Sequence, residues 1–309
     1  MKKIIAIAIV IALLFSMTAC GGGELPVYAT NWGKNDVSET SEYTIKVTLS
    51  DKVLDENAPR LFGDGKYVTS IKGGSGSGYE ITTKLTFKGD YELSDGTKVP
   101  VDDVVTSSVT FKDLMFDFKP IKSEKNYKGK TIKFLDGKYS IEDLTYSSSI
   151  EYGEKKSAVK NNINGESSTF ELSNPSGMFI DNEQLFYLVR SFVKKDGAGI
   201  SFNLTSGMSS AAVPMAATVT ANGVAELSTN INGTAQTLKA FPVTVRKNAN
   251  SETGTTQLLY CIKDDKGEVN NETGGKITVD RSRVAQIIQS VPYTMDVFEY
   301  NLVKYTYGE

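Results

Sequence analysis

Histidine is absent from the 309 residues. That excludes a Ser-His-Asp or Cys-His catalytic site and any histidine-ligated zinc, iron or copper centre. Catalysis would have to rest on carboxylates, Lys, Tyr or a Ser–Lys pair. Cysteine occurs twice, at Cys20 and Cys261. If Cys20 is modified, no internal disulfide can form. Cys261 lies in Leu258-Leu259-Tyr260-Cys261-Ile262, a run that suits a buried, inert thiol. The net charge is −3, and acidic and basic residues alternate along the chain without a basic stripe, so no nucleic-acid partner is expected. The chain also lacks an apolar run of about 20 residues, the length that spans a bilayer.

Its one apolar run, Ile4 to Phe15, follows Met1-Lys2-Lys3 and has the length and flanks of a signal-peptide core. Met17-Thr18-Ala19-Cys20 comes next and resembles the lipobox of bacterial lipoproteins. The resemblance implies cleavage before Cys20 and a diacylglycerol on its sulfur. The expected organisation is a signal peptide over 1–19, a lipidated Cys20 with a Gly-rich tether over 20–42, and one large β-rich domain over 43–309. The expected location is the extracytoplasmic face of the cell membrane, held there by the lipid.

From Tyr43 onward the pattern is mostly period two. Tyr43, Ile45, Val47 and Leu49 alternate with polar residues. So do Tyr79 to Phe87, Leu144 to Tyr152, Ile200 to Leu204, Phe241 to Val245 and Phe298 to Leu302. Alternation means one buried and one wet face, and Thr, Val, Ile, Tyr and Phe dominate these runs. Turn signals separate the runs: Asn57-Ala58-Pro59, Gly63-Asp64-Gly65, Ser94-Asp95-Gly96, Asp136-Gly137, Asn164-Gly165, Asn222-Gly223, Asn232-Gly233 and Asp265-Lys266-Gly267. The fold class expected is mainly β: an antiparallel curved sheet or open barrel of ten or more strands, with one or two amphipathic helices packed on it.

The clearer helix has Asp181 or Asn182 as its N-cap, Gln184 three after Asp181 as in a capping box, and an apolar stripe of Leu185, Leu188, Val189, Phe192 and Val193. A shorter one is expected from Asp280 through Ile288, with Val284, Ile287 and Ile288 inward. The stretches Asp181 to Arg190 and Phe118-Lys119-Pro120-Ile121-Lys122-Ser123 resemble an uncharacterised bacterial envelope family akin to the Lol-type lipoprotein carriers. The resemblance implies a curved sheet closed by helices and brings no activity with it.

No motif carries catalysis. Gly73 to Gly78 lacks the Gly-Lys-Ser/Thr of a phosphate loop and reads as a hairpin loop. Ser157-Ala158-Val159-Lys160 and Ser191-Phe192-Val193-Lys194 lack the companion motifs of penicillin-recognising enzymes. Asp264, Asp265, Glu268 and Glu272 lack calcium-loop spacing and read as a solvated hairpin tip. Adjacent Asp102 and Asp103 point to opposite faces of a strand. Thr205 to Ala217 reads as a mobile loop. No metal or cofactor is expected. Tyr187 and Arg190 are helical neighbours outside the apolar stripe. They belong either to a solvated outer face, the preferred placement, or to a polar rim at the mouth of an apolar cavity, where Arg190 would meet a carboxylate or phosphate.

The leading expectation is a non-catalytic envelope lipoprotein that binds a lipid or other apolar ligand or serves a structural role, with the membrane and a ligand or envelope protein as partners. The alternative is a cell-wall glycan hydrolase using paired carboxylates. Replacing Cys20 with Ala should abolish fractionation with membranes and change processing, read by cell fractionation and electrophoretic mobility.

Overall fold

The computed structural model describes residues 37–51, 55–74, 78–112, 118–176, 179–191, 196–205, 215–247, 255–270, 275–290 and 296–307. Cys20, the expected signal peptide over 1–19 and most of the expected tether over 20–42 lie outside them. The strands are β1 (Val37–Thr48), β2 (Arg60–Gly74), β3 (Gly78–Glu92), β4 (Lys98–Phe111), β5 (Pro120–Leu135), β6 (Lys138–Tyr152), β7 (Lys156–Ile163), β8 (Glu166–Ser173), β9 (Phe179–Asp181), β10 (Gly199–Thr205), β11 (Met215–Ala221), β12 (Ala225–Ile231), β13 (Thr234–Lys247), β14 (Thr255–Ile262), β15 (Lys266–Asn270), β16 (Lys276–Asp280), β17 (Val284–Ser290) and β18 (Val297–Tyr307). The strand at Tyr43 thus begins six residues earlier than its alternation suggested, at Val37.

Sixteen strands form one curved sheet that does not close, in the order β8-β7-β6-β5-β4-β3-β2-β1-β18-β17-β14-β13-β11-β10-β9, with β12 paired on β13; β15 and β16 make a separate hairpin. The first eight strands are a meander in chain order. β1 then pairs β18, joining the first and last described strands at the middle of the sheet. Within the large sheet only the short β9–β10 pairing is parallel. Three turn signals form tight hairpins: Asp136 and Gly137, Asn164 and Gly165, and Asn232 and Gly233 all have positive φ, the type I′ geometry that matches strand twist. The expected turn at Gly63-Asp64-Gly65 lies instead inside β2, paired with Gly89, Lys88 and Phe87, where the glycines serve close strand approach.

One helix, α1 (Leu185–Ser191), follows a 3-10 turn at Asn182–Gln184. The capping box forms as its letters suggest. The Asp181 side chain accepts from the Glu183 amide, and the Gln184 amide oxygen accepts from the Asp181 amide at 2.9 Å. Phe192 and Val193 lie outside the described residues. α1 crosses the inner face of the sheet and is buried on every side. Its apolar residues pack against Tyr43, Ile71, Ile81, Val109, Val243 and Leu259.

The expected helix over Asp280–Ile288 is instead strand β17, between β14 and β18. The reason is a bulge. Tyr260 pairs Gln286 but Cys261 pairs Val284, which leaves Ala285 as an extra residue. Val284, Ala285 and Ile287 therefore all face inward. The bulge turned period-two spacing into the i, i+3 spacing of a helix. Of the expected loop Thr205–Ala217, Thr205 ends β10 and Met215 to Ala217 begin β11, while 206–214 lie outside the described residues.

Three inward rows cross β2 to β7 at right angles to the strands. One is largely apolar: Ile71, Ile81, Val109, Ser123, Ile150 and Val159. Two residues along each strand lies a polar row of Thr69, Thr83, Ser107, Lys125, Ser148 and Asn161, and Ser41 continues it on β1. Two further lies Tyr67, Leu85, Val105, Tyr127 and Tyr146.

Glycine permits a close approach at one end of this sheet. Gly63 faces Gly89, Gly63 has φ +148°, and a Cβ on Gly89 would fall 1.8 Å from the Phe62 carbonyl oxygen. Gly89→Ala should force β2 and β3 apart and lower stability by about 2 kcal/mol, read as a reduced urea midpoint.

Candidate functional site

The polar row needs partners, because buried hydroxyls and charges without hydrogen bonds are costly. α1 brings them. Glu183, Tyr187 and Arg190 recur at +4 and +3 and make a polar seam along the side of the helix that faces this row. The Thr83 hydroxyl donates to Glu183 at 3.2 Å, and the Lys125 ammonium donates to it at 2.8 Å. The Tyr187 and Thr69 hydroxyls are 3.3 Å apart. Arg190 reaches Glu39 on β1 with two nitrogens and donates from Nε and Nη2 to the Arg281 carbonyl at 2.9 and 2.8 Å. The Tyr305 hydroxyl donates to the same Glu39 at 3.0 Å.

Tyr187 and Arg190 are therefore not on a solvated face: both are 1% exposed or less. Arg190 meets a carboxylate, as its rim placement required, but the carboxylate belongs to this chain. Burial pushes the Tyr187 hydroxyl well above its usual range, with Glu39 adding to the effect.

Where the helix leaves the inner face uncovered, a cleft of about 400 Å³ opens. Its apolar walls come from Tyr67 on β2, Leu85 on β3, Val105 on β4, Leu185 and Phe186 on α1, Leu259 on β14, Ile287 on β17 and Tyr300 on β18. Tyr67, Leu85, Val105 and Tyr300 are only half-buried. The polar residues lining it are Thr83, Lys125, Asn182, Glu183, Lys247, Gln257 and Gln289. Lys247 donates to the Asn182 side-chain oxygen at 2.7 Å, and Gln257 donates to Gln289 at 2.9 Å.

The charges are uneven. Burial raises the Glu183 carboxyl, but the adjacent Lys125 ammonium outweighs it and holds the group at about 2. Burial lowers Lys125, and Glu183 outweighs that in turn, so Lys125 sits above its ordinary value. Burial carries Lys247 down to about 8, with Lys125 pushing the same way and Glu183 opposing.

Sequence reasoning missed Lys125, Lys247, Glu183 and Glu39. The signal was strand phase. Lys125 shares its face with Ser123 and Tyr127, and Lys247 follows Val243 and Val245 at the same period, so each lysine falls on an inward position.

Among the described residues Glu183 is the one carboxylate lining the cleft, and it is ion-paired. Asp181 lies behind it across a space of about 10 Å³, with its oxygens taken by the Glu183 amide and the Tyr152 hydroxyl. Two carboxylates flanking a bond with a water between them need several ångströms of clear space.

The remaining expectations resolve simply. Cys261 is fully buried on β14, and burial pushes its thiol up to about 12. Asp102 and Asp103 do diverge: Asp102 is exposed beside Lys88, while Asp103 accepts from the Tyr127 hydroxyl and the Lys130 amide. Asp265 departs from the solvated tip. It is buried and grips the Arg283 guanidinium at 2.7 and 2.6 Å. Residues 271–274, including Glu272, lie outside the described residues. So do residues 75–77 of the glycine-rich loop, whose flanks Gly74 and Gly78 pair as a hairpin.

No family model matches the chain, and no curated protein matches it in sequence. In structure it is similar to a β-barrel-like protein of the domain of unknown function DUF1849 from Brucella abortus, with a TM-score of 0.55 at 12% identity, over 88% of this chain and 98% of that one. The chain therefore shares a β-barrel-like fold with that protein, and the likeness extends to the fold alone.

Arg190→Met should leave Glu39 buried without its counter-charge and cost about 3–5 kcal/mol. The double variant Glu39→Leu, Arg190→Met should recover most of that loss. Urea unfolding of the wild type, both singles and the double checks the pair.

Proposed function

We propose that this protein is an extracytoplasmic, membrane-anchored lipoprotein without catalytic activity, whose cleft binds the apolar part of a ligand. The observation that carries the binding is the uncovered inner face. A packed core would bring Tyr67, Leu85, Val105 and Tyr300 against other side chains, yet they border about 400 Å³ of space. That volume falls within the range of sites for small ligands, about 300–1,000 Å³. Half-buried apolar walls lose contact with water when an apolar molecule enters, at about 25 cal/mol per Å².

Three further observations support the reading. The fold is β-barrel-like and is compatible with a binding or structural role. The letters around Asp181 and Phe118 resemble an envelope family akin to the Lol-type carriers. The lipobox-like Met17 to Cys20 supplies the anchor, and two acyl chains on one residue hold a protein at a membrane where one would not. A purely structural role is the weaker reading, because it leaves the cleft without a use.

The test is direct. The processed chain, from residue 20 on with Cys20→Ala, should retain extractable amphiphiles detected by mass spectrometry, and should bind Nile red. Leu85→Trp, which fills the cleft from β3, should lose both while keeping the wild-type circular dichroism. A folded wild-type protein that yields no extractable ligand and leaves Nile red unbound would refute the binding role.

A further inference from the structure

The cleft contains an ammonium group that has no counter-ion among the described residues. Three charged side chains line it: Lys125 on β5, Glu183 at the entry to α1, and Lys247 at the end of β13. Lys125 and Glu183 satisfy each other at 2.8 Å, with both side chains largely buried. Glu183 also accepts from the Thr83 hydroxyl and from the Asn182 side-chain nitrogen, so both of its oxygens are engaged. Lys247 is different. Among the described residues its one polar partner is the neutral Asn182 oxygen, and no carboxylate lies within ion-pair distance. The net charge of the three is +1, in a setting where an unpaired cation is costly.

The neighbours of Lys247 continue the polar side. Gln257 on β14 and Gln289 on β17 are cross-strand partners, and both line the cleft with it. The apolar residues Tyr67, Leu85, Val105, Phe186 and Tyr300 line the rest. A ligand that matches both parts has a hydrocarbon body and one compact anionic end.

We infer that the cleft selects an anionic amphiphile, an acyl or alkyl chain ending in a carboxylate or phosphate, and that Lys247 is the residue that takes the anionic end. The inference rests on the cleft being a binding site and adds the head-group chemistry. Lys125 is not the anchor, because Glu183 already neutralises it. Arg190 is not either, because it is buried against Glu39 away from the cleft lining.

Titration follows the same geometry. With its ammonium depressed to about 8, Lys247 is charged near neutrality and loses its proton above that value. The other titratable groups facing the cleft do not change charge there. Glu183 is held at about 2, Lys125 lies above its ordinary value, Tyr300 is pushed up to about 12 by burial, and burial raises Tyr67 well above its usual range. Affinity for an anion should therefore fall as pH rises through and beyond about 8, while affinity for a neutral amphiphile should not.

The experiment displaces Nile red from the processed Cys20→Ala chain with dodecanoate, monododecyl phosphate and dodecanol. At neutral pH at least one of the two anions should bind about tenfold tighter than the alcohol, as a charge-assisted hydrogen bond implies. Whichever anion gains more identifies the head group. Lys247→Met should bring the preferred anion down to the alcohol's affinity and leave the alcohol unchanged, whereas Lys247→Arg should keep the preference. The unmutated chain titrated to alkaline pH tests the same point without any substitution. If dodecanol binds as tightly as both anions, or if the preference survives Lys247→Met in a folded protein, the head-group assignment is overturned and the apolar cleft stands. If Nile red does not bind at all, the binding role falls with it.

Discussion

The interior of this protein is organised by a polar row that cannot be left alone. Thr69, Thr83, Ser107 and Lys125 face inward side by side on four adjacent strands, flanked by rows that are mostly Ile, Val, Leu and Tyr. Unpaired, each would carry a desolvation penalty of about 1–3 kcal/mol, and more for the lysine. The seam of Glu183, Tyr187 and Arg190 fits that row and fixes both the position and the direction of α1 across the strands. The apolar residues of the helix, Leu185, Leu188 and Val189, would pack in many registers, so the polar pairs supply the specificity that grease lacks.

The cleft follows from that placement. The capping box starts the helix at Asp181, beside β5 and β6, and Arg190 pins the far end to Glu39 on β1. One band of the inner face is covered and the neighbouring band, around Tyr67, Leu85 and Tyr300, is not. The sheet remains open, so its strands are not obliged to close over the gap. Lys125 belongs to both parts. It ends the polar row under the helix and lines the cleft, which is why the charge of Glu183 is consumed before Lys247 can use it.

Rigidity on the sheet side comes from the join of β1 to β18. The two ends of the described chain pair at the centre of the sheet rather than at its edges. Glu39 and Tyr305 sit on these two strands, so the buried Arg190 cluster draws together β1, β18 and the helix in one place. Loss of that cluster would free the helix before it opened the sheet.

The sequence by itself determined what depends on near neighbours. Alternation marked the strands, Asp-Gly and Asn-Gly marked the tight hairpins, Asp181 with Gln184 marked the helix start, and Cys261 in an apolar run marked a buried thiol. These are effects of adjacent backbone and side chains, and they leave a periodic trace. Only the tertiary structure decided what lies against what. The bulge at Ala285 disguised β17 as a helix, because a single inserted residue shifts the phase of every inward side chain after it. Tyr187 and Arg190 looked wet because they break an apolar stripe; their partners Thr69 and Glu39 are more than a hundred residues away, where no local pattern can show them. The cleft was hidden for the same reason, since its apolar walls come from seven elements whose meeting depends on how far the sheet curls.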